Sequence, residues 1–208
     1  KVMRQEGIRV RPKAKFVPKT TDSSHGSPVA ANRLGRDFVA DAPDRKWVAD
    51  ITYVPTGEGW LYVAAVLAIS RRPLVGHATA DHMRVDLVAE ALTMALTHRR
   101  PAAAAAAAAG LLHHSDRGSQ YASDAYQGLL ATHGMVCSMS GRGDCWDNAA
   151  MESFWSTFKG ECVGREDYPT HAAARRAIFE YIECWYNRQR LHSSLGYLSP
   201  EAFEASRN

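Results

Sequence analysis

The sequence predicts an α/β fold: a mixed five-stranded sheet, three antiparallel strands and then parallel ones, flanked by helices. Three observations carry this. Three segments rich in β-branched and aromatic residues follow one another between Lys46 and Ala80, joined by short turns. Helix-periodic stretches then alternate with short apolar runs from Arg84 to Ser140. Two longer helical patterns, roughly 148–163 and 170–187, close the order β-β-β-α-β-α-β-α-α.

Each element has a local reason. "KWVADITYV" and "WLYVAAVLAI" flank Thr56-Gly57-Glu58-Gly59, a hairpin turn. "PLVGHATA" follows the Arg71-Arg72-Pro73 turn, so the first three strands form an antiparallel meander. In "RVDLVAEALTMALTHRR", Val85, Val88, Ala89, Leu92, Ala95 and Leu96 share one 3.6-period face. "GLLHHSD" reads as a short buried strand, and "MVCSMS" as another. Between them "SDAYQGLLATHG" is a helix with Ser123 as N-cap and Gly134 as stop. This is the order of the ribonuclease H-like fold, although order alone leaves several α/β alternatives open. Eight alanines at 102–109 favour helix by propensity, yet their place between a helix and a strand reads as a loop.

With 208 residues, 46% hydrophobic and 23% charged, the chain has the balance of one globular domain plus an extension. No apolar run approaches the roughly 18 residues of a membrane helix, and Lys1–Lys15 lacks a signal-peptide core. Work in the cytoplasm, without a membrane partner, is the expectation. Cys137, Cys145, Cys162 and Cys184 form no C-x-x-C pair, which points to reduced thiols rather than a zinc knuckle or disulfide framework. The chain starts at Lys1, and "KVMRQEGIRVRPK" reads as the tail of something longer.

The net charge of +3 is unevenly spread. Lys1–Arg36 holds nine basic residues against two acids, and the remainder holds 16 against 20. Residues 1–42, with Pro12, Pro18 and Pro28, therefore read as a basic linker or arm, and 43–208 as the folded domain. Lys13, Lys15 and Lys19 are its candidate phosphate contacts.

Three carboxylates stand out. Asp50 interrupts an apolar strand, where a lone buried charge is costly unless something positive meets it; a strand-edge Asp facing water is the plain alternative. Asp116 directly follows a short apolar strand, at the carboxyl end where α/β sheets form sites; a turn Asp supporting Gly118 is its alternative. Glu152 lies on a helix whose buried face is Met151, Phe154, Trp155, Phe158 and Cys162, and Asn148, Glu152, Ser156 and Lys159 occupy the other side. His113 and His114 flank Asp116 and read as strand-packed histidines.

Asp50 on the first strand, then Asp116 and Glu152 separated by thirty-five residues, resembles the carboxylate signature of the integrase and transposase superfamily. "WVADITY", "HHSDRGSQY", "DNAAMESFWSTFKGE" and "YNRQRLHSSLGYLSPEAF", in this order over about residues 44–203, are similar to the insertion-sequence-three type bacterial transposases, relatives of retroviral integrases. The resemblance implies a ribonuclease H-like catalytic core that cleaves and joins DNA strands. It also implies two Mg²⁺ or Mn²⁺ ions, with Asp50 bridging both, Asp116 holding one and Glu152 the other. Such hard cations select carboxylate oxygens over His or Cys. The implied partners are transposon terminal inverted repeats, target DNA and further copies of the chain. Asn148, Lys159, Arg190 and His192 become DNA-binding candidates, with Asn187 nearby. A ribonuclease H-type nuclease and an inactive DNA-binding transposase remnant are the competing readings.

Overall fold

The expected hairpin forms at Thr56–Gly59. There Thr56 Oγ1 donates to the Gly59 carbonyl at 2.7 Å, and Gly59 adopts a φ of 109° that a side chain would resist. It joins β1 (Lys46–Thr56) to β2 (Gly59–Ala68) in a computed structural model that describes residue 18, residues 20–101 and residues 110–207. Lys13, Lys15, Lys19 and the alanine run 102–109 lie outside these described residues.

β3 (Leu74–Ala80) pairs antiparallel with β2, β4 (Leu112–Ser115) parallel with β1, and β5 (Val136–Met139) parallel with β4. The sheet order is β3-β2-β1-β4-β5, the mixed five-stranded sheet the sequence predicts. Register matters most between β1 and β4, where Trp47 pairs with His113 and Val48 with His114. Two residues further along, the same register brings Asp50 level with Asp116.

Side-chain alternation along β1 splits the core into two layers. Trp47, Ala49 and Ile51 face α1 (Val85–Arg99) and α2 (Asp124–Thr132). Val48 and Val54 face α3 (Ala149–Phe158) and α4 (His171–Phe179). Asp50 shares the parity of Val48, so it points toward α3. Helices α3 and α4 continue through single π-helical stretches, Lys159–Val163 and Glu180–Tyr186, and the short α5 (Pro200–Ala205) ends the described fold. Ser123 caps α2 as expected, its hydroxyl accepting from the Tyr126 N–H.

The α1 face needs correction. Leu87 and Ala91 are buried together with Val88, Leu92 and Ala95, whereas Val85, Ala89 and Leu96 are only partly buried. The helix packs against both β2 and β3, so its buried stripe is rotated from the face that spacing alone selects. Arg99 pins this helix to both ends of the domain: it pairs with Asp44 at 2.9 Å and with Glu204 of α5 at 2.6 Å. Residues 20–42 contain no helix or strand, yet Leu34 is buried in the α3-side core and the Arg33 and Leu34 N–H groups both donate to Ser138 Oγ. Among the described residues no helix is long and apolar enough to cross a membrane.

Candidate active site

β1 and β4 run parallel, so their carboxyl ends open together at one edge of the sheet. The α3 helix begins above that edge. Asn148, at its N-terminus, donates from Nδ2 to the Ala49 carbonyl at 3.1 Å, which ties the helix start to β1 one residue before Asp50. Periodicity places Asn148 on the polar side of the helix, but it is 6% exposed, because the 3-10 turn Cys145–Asn148 folds inward onto the strand.

Asp50, Asp116 and Glu152 line one cleft of about 360 Å³. Asp50 is oriented from two sides: Trp155 Nε1 donates to its Oδ2 at 3.0 Å, and the Ile51 N–H donates to its Oδ1 at 2.8 Å. Trp155 thus both fills the core and aims the carboxylate; the helical spacing reveals only the first role. Asp116 receives the Gly118 N–H at 2.8 Å and the Thr21 hydroxyl. A Cβ on Gly118 would stand 3.0 Å from the Asp116 carboxylate, so the backbone approaches closely there. Glu152 is exposed on the helix side of the cleft.

The irregular N-terminal segment reaches this edge, a feature that local patterns do not reveal. Thr20, Thr21 and Ser23 line the cleft, the Asp22 carbonyl accepts from Ser119 N, and His25 Nε2 donates to the Arg117 carbonyl at 2.8 Å. Further along, Arg36 pairs with Asp144 and Asp147 of the Gly141–Asp147 loop, while Asp147 also accepts the Gly141 N–H. The contacts that the N-terminal segment makes with the cleft and the Gly141–Asp147 loop span about a hundred residues of chain, which leaves no short-range trace.

Electrostatics mark Asp50. Enclosure in the fold, then the Asp116 charge, lifts its carboxyl from 3.8 to about 7, against the pull of the Ile51 and Trp155 donors; the Glu152 charge adds to the rise. Asp116 is raised by burial, opposed by Thr21, Gly118 and His25. Two adjacent carboxyls that resist ionisation fit a cation-binding role: a divalent ion would supply the missing positive charge, and the donors are oxygens of the kind Mg²⁺ and Mn²⁺ prefer. Among the described residues, no three His, Cys, Asp or Glu groups stand close enough to enclose an ion. Asp50 and Asp116 line the cleft from the strand side, and Glu152 lines it from the helix.

A stability consequence follows from the raised Asp50. The unfolded chain ionises this group near pH 4 and the folded chain near pH 7, so in between the folded state holds the extra proton. Metal-free stability from this group therefore falls as pH rises through that window. Asp50→Asn removes the penalty and is expected to raise the melting temperature at pH 8 in chelator by about 2–8 °C, for a gain of about 1–2 kcal/mol. Adding Mn²⁺ should raise the melting point of the wild type and leave the variant unmoved. Equal melting temperatures in chelator at pH 8 would show that Asp50 is not held in this unfavourable state.

The remaining candidates spread out. The Lys159 ammonium sits 4.6 Å over the Tyr53 ring, its pKa lowered by burial and pulled back by the Asp50 charge, so it stands near the strand side of the site. Arg190 and His192 lie away from the triad, in a separate cavity. Asn187 bonds the Leu74 backbone through both its Nδ2 and Oδ1. His113 and His114 are fully buried: His113 Nε2 meets the Tyr126 hydroxyl, and His114 bridges Ser138 and Ser140. Burial depresses them to about 3 and about 4, so both are neutral packing residues at physiological pH.

Known proteins share this design. Two integrase core domain family models match residues 40–145 and 133–200. The insertion element IS600 uncharacterized 31 kDa protein of Shigella sonnei is 45% identical over 196 residues, covering 94% of this chain and 70% of that protein. Transposase InsF for insertion sequence IS3A of Escherichia coli (strain K12) is 42% identical over 202 residues, covering 97% of this chain and 68% of its own length. Among solved structures, a chain of the simian T-cell lymphotropic virus intasome in complex with PP2A regulatory subunit B56 gamma superposes with a TM-score of 0.63 at 12% identity, over 88% of this chain and 61% of that one. The HTLV-2 integrase catalytic core domain in complex with magnesium gives 0.55 at 11% identity, over 78% of this chain and 97% of that one. At such identities these two likenesses speak for the fold, which is ribonuclease H-like; the sequence relatives speak for the family. With its five-stranded mixed sheet and an integrase core spanning residues 40–200, the chain belongs to the insertion-sequence-three (IS3) family of transposases.

Proposed function

We propose that Asp50, Asp116 and Glu152 are the catalytic carboxylates for DNA cleavage at the transposon ends and for strand transfer into target DNA. The observation that carries this is the β1–β4 register, which sets Asp50 level with Asp116 beneath the helix that bears Glu152. When bound, a pair of Mg²⁺ or Mn²⁺ ions would activate the attacking oxygen and stabilise the leaving oxygen at an in-line phosphorus. Asp50, Asp116 and Glu152, which line the same cleft, are the residues that would hold them. Trp155 and the Ile51 N–H hold the Asp50 carboxylate in one orientation, and the Gly118 N–H does so for Asp116.

DNA carrying the terminal inverted repeats and a target duplex are the proposed substrates, with several copies of the chain assembled on them in the cytoplasm, at the nucleoid. Residues 43–208 would be the catalytic core, with 1–42 a basic arm. The test incubates the chain with Mg²⁺, a duplex of the element's end and a supercoiled target plasmid, and scores joined products. Cleavage of RNA:DNA hybrids alone would favour the nuclease reading; binding with no product in either assay would favour an inactive remnant.

Lys159→Ala should reduce joining more than overall DNA affinity, because the ammonium stands beside the strand that bears Asp50. Normal joining by this variant would remove Lys159 from the site. For the arm, neutralising any one of Lys13, Lys15 and Lys19 that meets a phosphate should flatten the slope of log K against log[salt] by about 0.9, for every DNA sequence alike. An unchanged slope in the triple alanine variant would make the arm a linker only.

A further inference from the structure

Next to the catalytic cleft, around the first turn of α3, lies a second cavity, about 510 Å³, lined by Arg72, Ser153, Arg190, His192, Ser193 and Tyr197 among others. Its chemistry is the reverse of the cleft's. Asp50, Asp116, Asp144 and Glu152 line the cleft, whereas this cavity has two guanidinium groups, several hydroxyls and no carboxylate among its lining residues. Two of its N–H groups are also left without acceptors. Arg190 Nη1 stands 3.5 Å from His192 Nδ1, and a guanidinium only donates, so Nδ1 is the acceptor and the ring proton sits on Nε2. His192 is 8% exposed, and among the described residues neither its Nε2 nor the buried Nε of Arg72 has a partner. Burial and the two neighbouring arginines depress His192 to about 4, so at physiological pH it is a neutral ring with one unused donor.

The walls are held in place. Glu161 grips Arg190 Nε with both carboxylate oxygens, at 3.0 and 2.9 Å, and leaves the outer edge of the guanidinium for other contacts. Arg72 Nη2 reaches Ser153 Oγ at 3.4 Å. Arg72 and Tyr197 both adopt left-handed backbone, with φ of 58° and 60°, as do Arg36, Asp44 and Arg100 elsewhere in the described residues. Leu191 and Tyr197, 62% and 69% exposed, add an apolar and aromatic rim.

The geometry points to a phosphate subsite here: Arg72, Arg190 and His192 grip one backbone phosphodiester of the DNA while its sugar or base rests against Tyr197. The inference rests on the proposed action on DNA and adds where the strand runs. Glu152 and Ser153 are consecutive on α3, about 100° apart around the helix, one facing each cavity. A strand leaving the catalytic cleft over the first turn of α3 arrives at this pocket.

The test measures binding of the full chain to a duplex of the element's end, by fluorescence anisotropy over a salt series, using duplexes in which single phosphates are replaced by neutral methylphosphonates. For the wild type, one backbone position should be selectively sensitive. Arg72→Gln should lose sensitivity at that position alone and flatten the salt slope by about 0.9, a loss of roughly eightfold at 0.1 M salt that vanishes toward 1 M. Arg72→Lys should keep most of the slope. Ser153 is exposed, so Ser153→Asp, which sets a carboxylate beside Arg72 without touching the core, should mimic Arg72→Gln if the latter fails to fold. An unaltered slope and methylphosphonate profile in Arg72→Gln or Ser153→Asp would overturn the inference, as would a loss equal at all salt concentrations. Strand-transfer activity of the wild type is read separately, so its absence would sink the proposed function and leave the phosphate subsite to be judged on binding.

Discussion

Asp50→Asn, Asp116→Asn and Glu152→Gln are each expected to lower joining by at least about 10³-fold while leaving DNA affinity within about threefold. Each substitution keeps side-chain size and removes one negative oxygen from the cleft that all three residues line. The carboxylates act as one unit, so any double variant should be little worse than the weaker single one. Gel assays of single-turnover joining, with affinity measured in parallel, decide the matter. A single variant retaining a tenth of wild-type activity, or losses that multiply, would break the triad assignment. For Asp50→Asn the activity and the metal-free melting point should move in opposite directions. Simple unfolding cannot produce that combination, so it separates a catalytic role from a structural one.

The largest stability effect is expected at Gly76, in the middle of β3. A Cβ there would lie 2.1 Å from the Ala91 carbonyl oxygen and 2.7 Å from the Ala95 nitrogen, both backbone atoms of α1. No side-chain rotation relieves such a clash, so the helix must move off the sheet. Leu87, Val88, Ala91, Leu92 and Ala95, buried beneath it, would then all pack less closely. Gly76→Ala should cost about 3 kcal/mol or more, lowering the melting temperature by roughly 6–12 °C. A drop of less than about 2 °C would show that α1 rides higher above β3 than this approach implies. In an unpaired strand the same substitution would be mildly favourable, since glycine weakens strands.

Gly76 shows where local patterns stop being informative. Within "PLVGHATA" it reads as a weak spot in a strand; its necessity comes from a helix backbone more than a dozen residues later. The α1 face differs from its spacing for a related reason. Periodicity finds an apolar stripe but not which two strands it meets, and Leu87 and Ala91 are buried because the helix lies across β2 and β3. Asn148 likewise has helical spacing with Glu152, but the turn before α3 carries it into the core.

What the sequence determined by itself was the element order, the hairpin at Thr56–Gly59, the cap at Ser123 and the buried face of α3, because each depends on neighbours within a few residues. It also displayed Asp50, Asp116 and Glu152, since a carboxylate in an apolar strand, one at a strand end and one at thirty-five residues' spacing are visible in one dimension. Tertiary structure alone decided their surroundings. The parallel register of β1 and β4 levels the two aspartates, and Trp155 aims one of them. The enclosure that lifts Asp50 toward 7 and the closing of Thr21 onto Asp116 exist only once the sheet is assembled. Arg72 and His192, distant in sequence, become walls of one cavity for the same reason. Desolvation, charge–charge coupling and backbone contact all depend on distance in space, and a linear pattern carries that distance only for groups a turn or a hairpin apart.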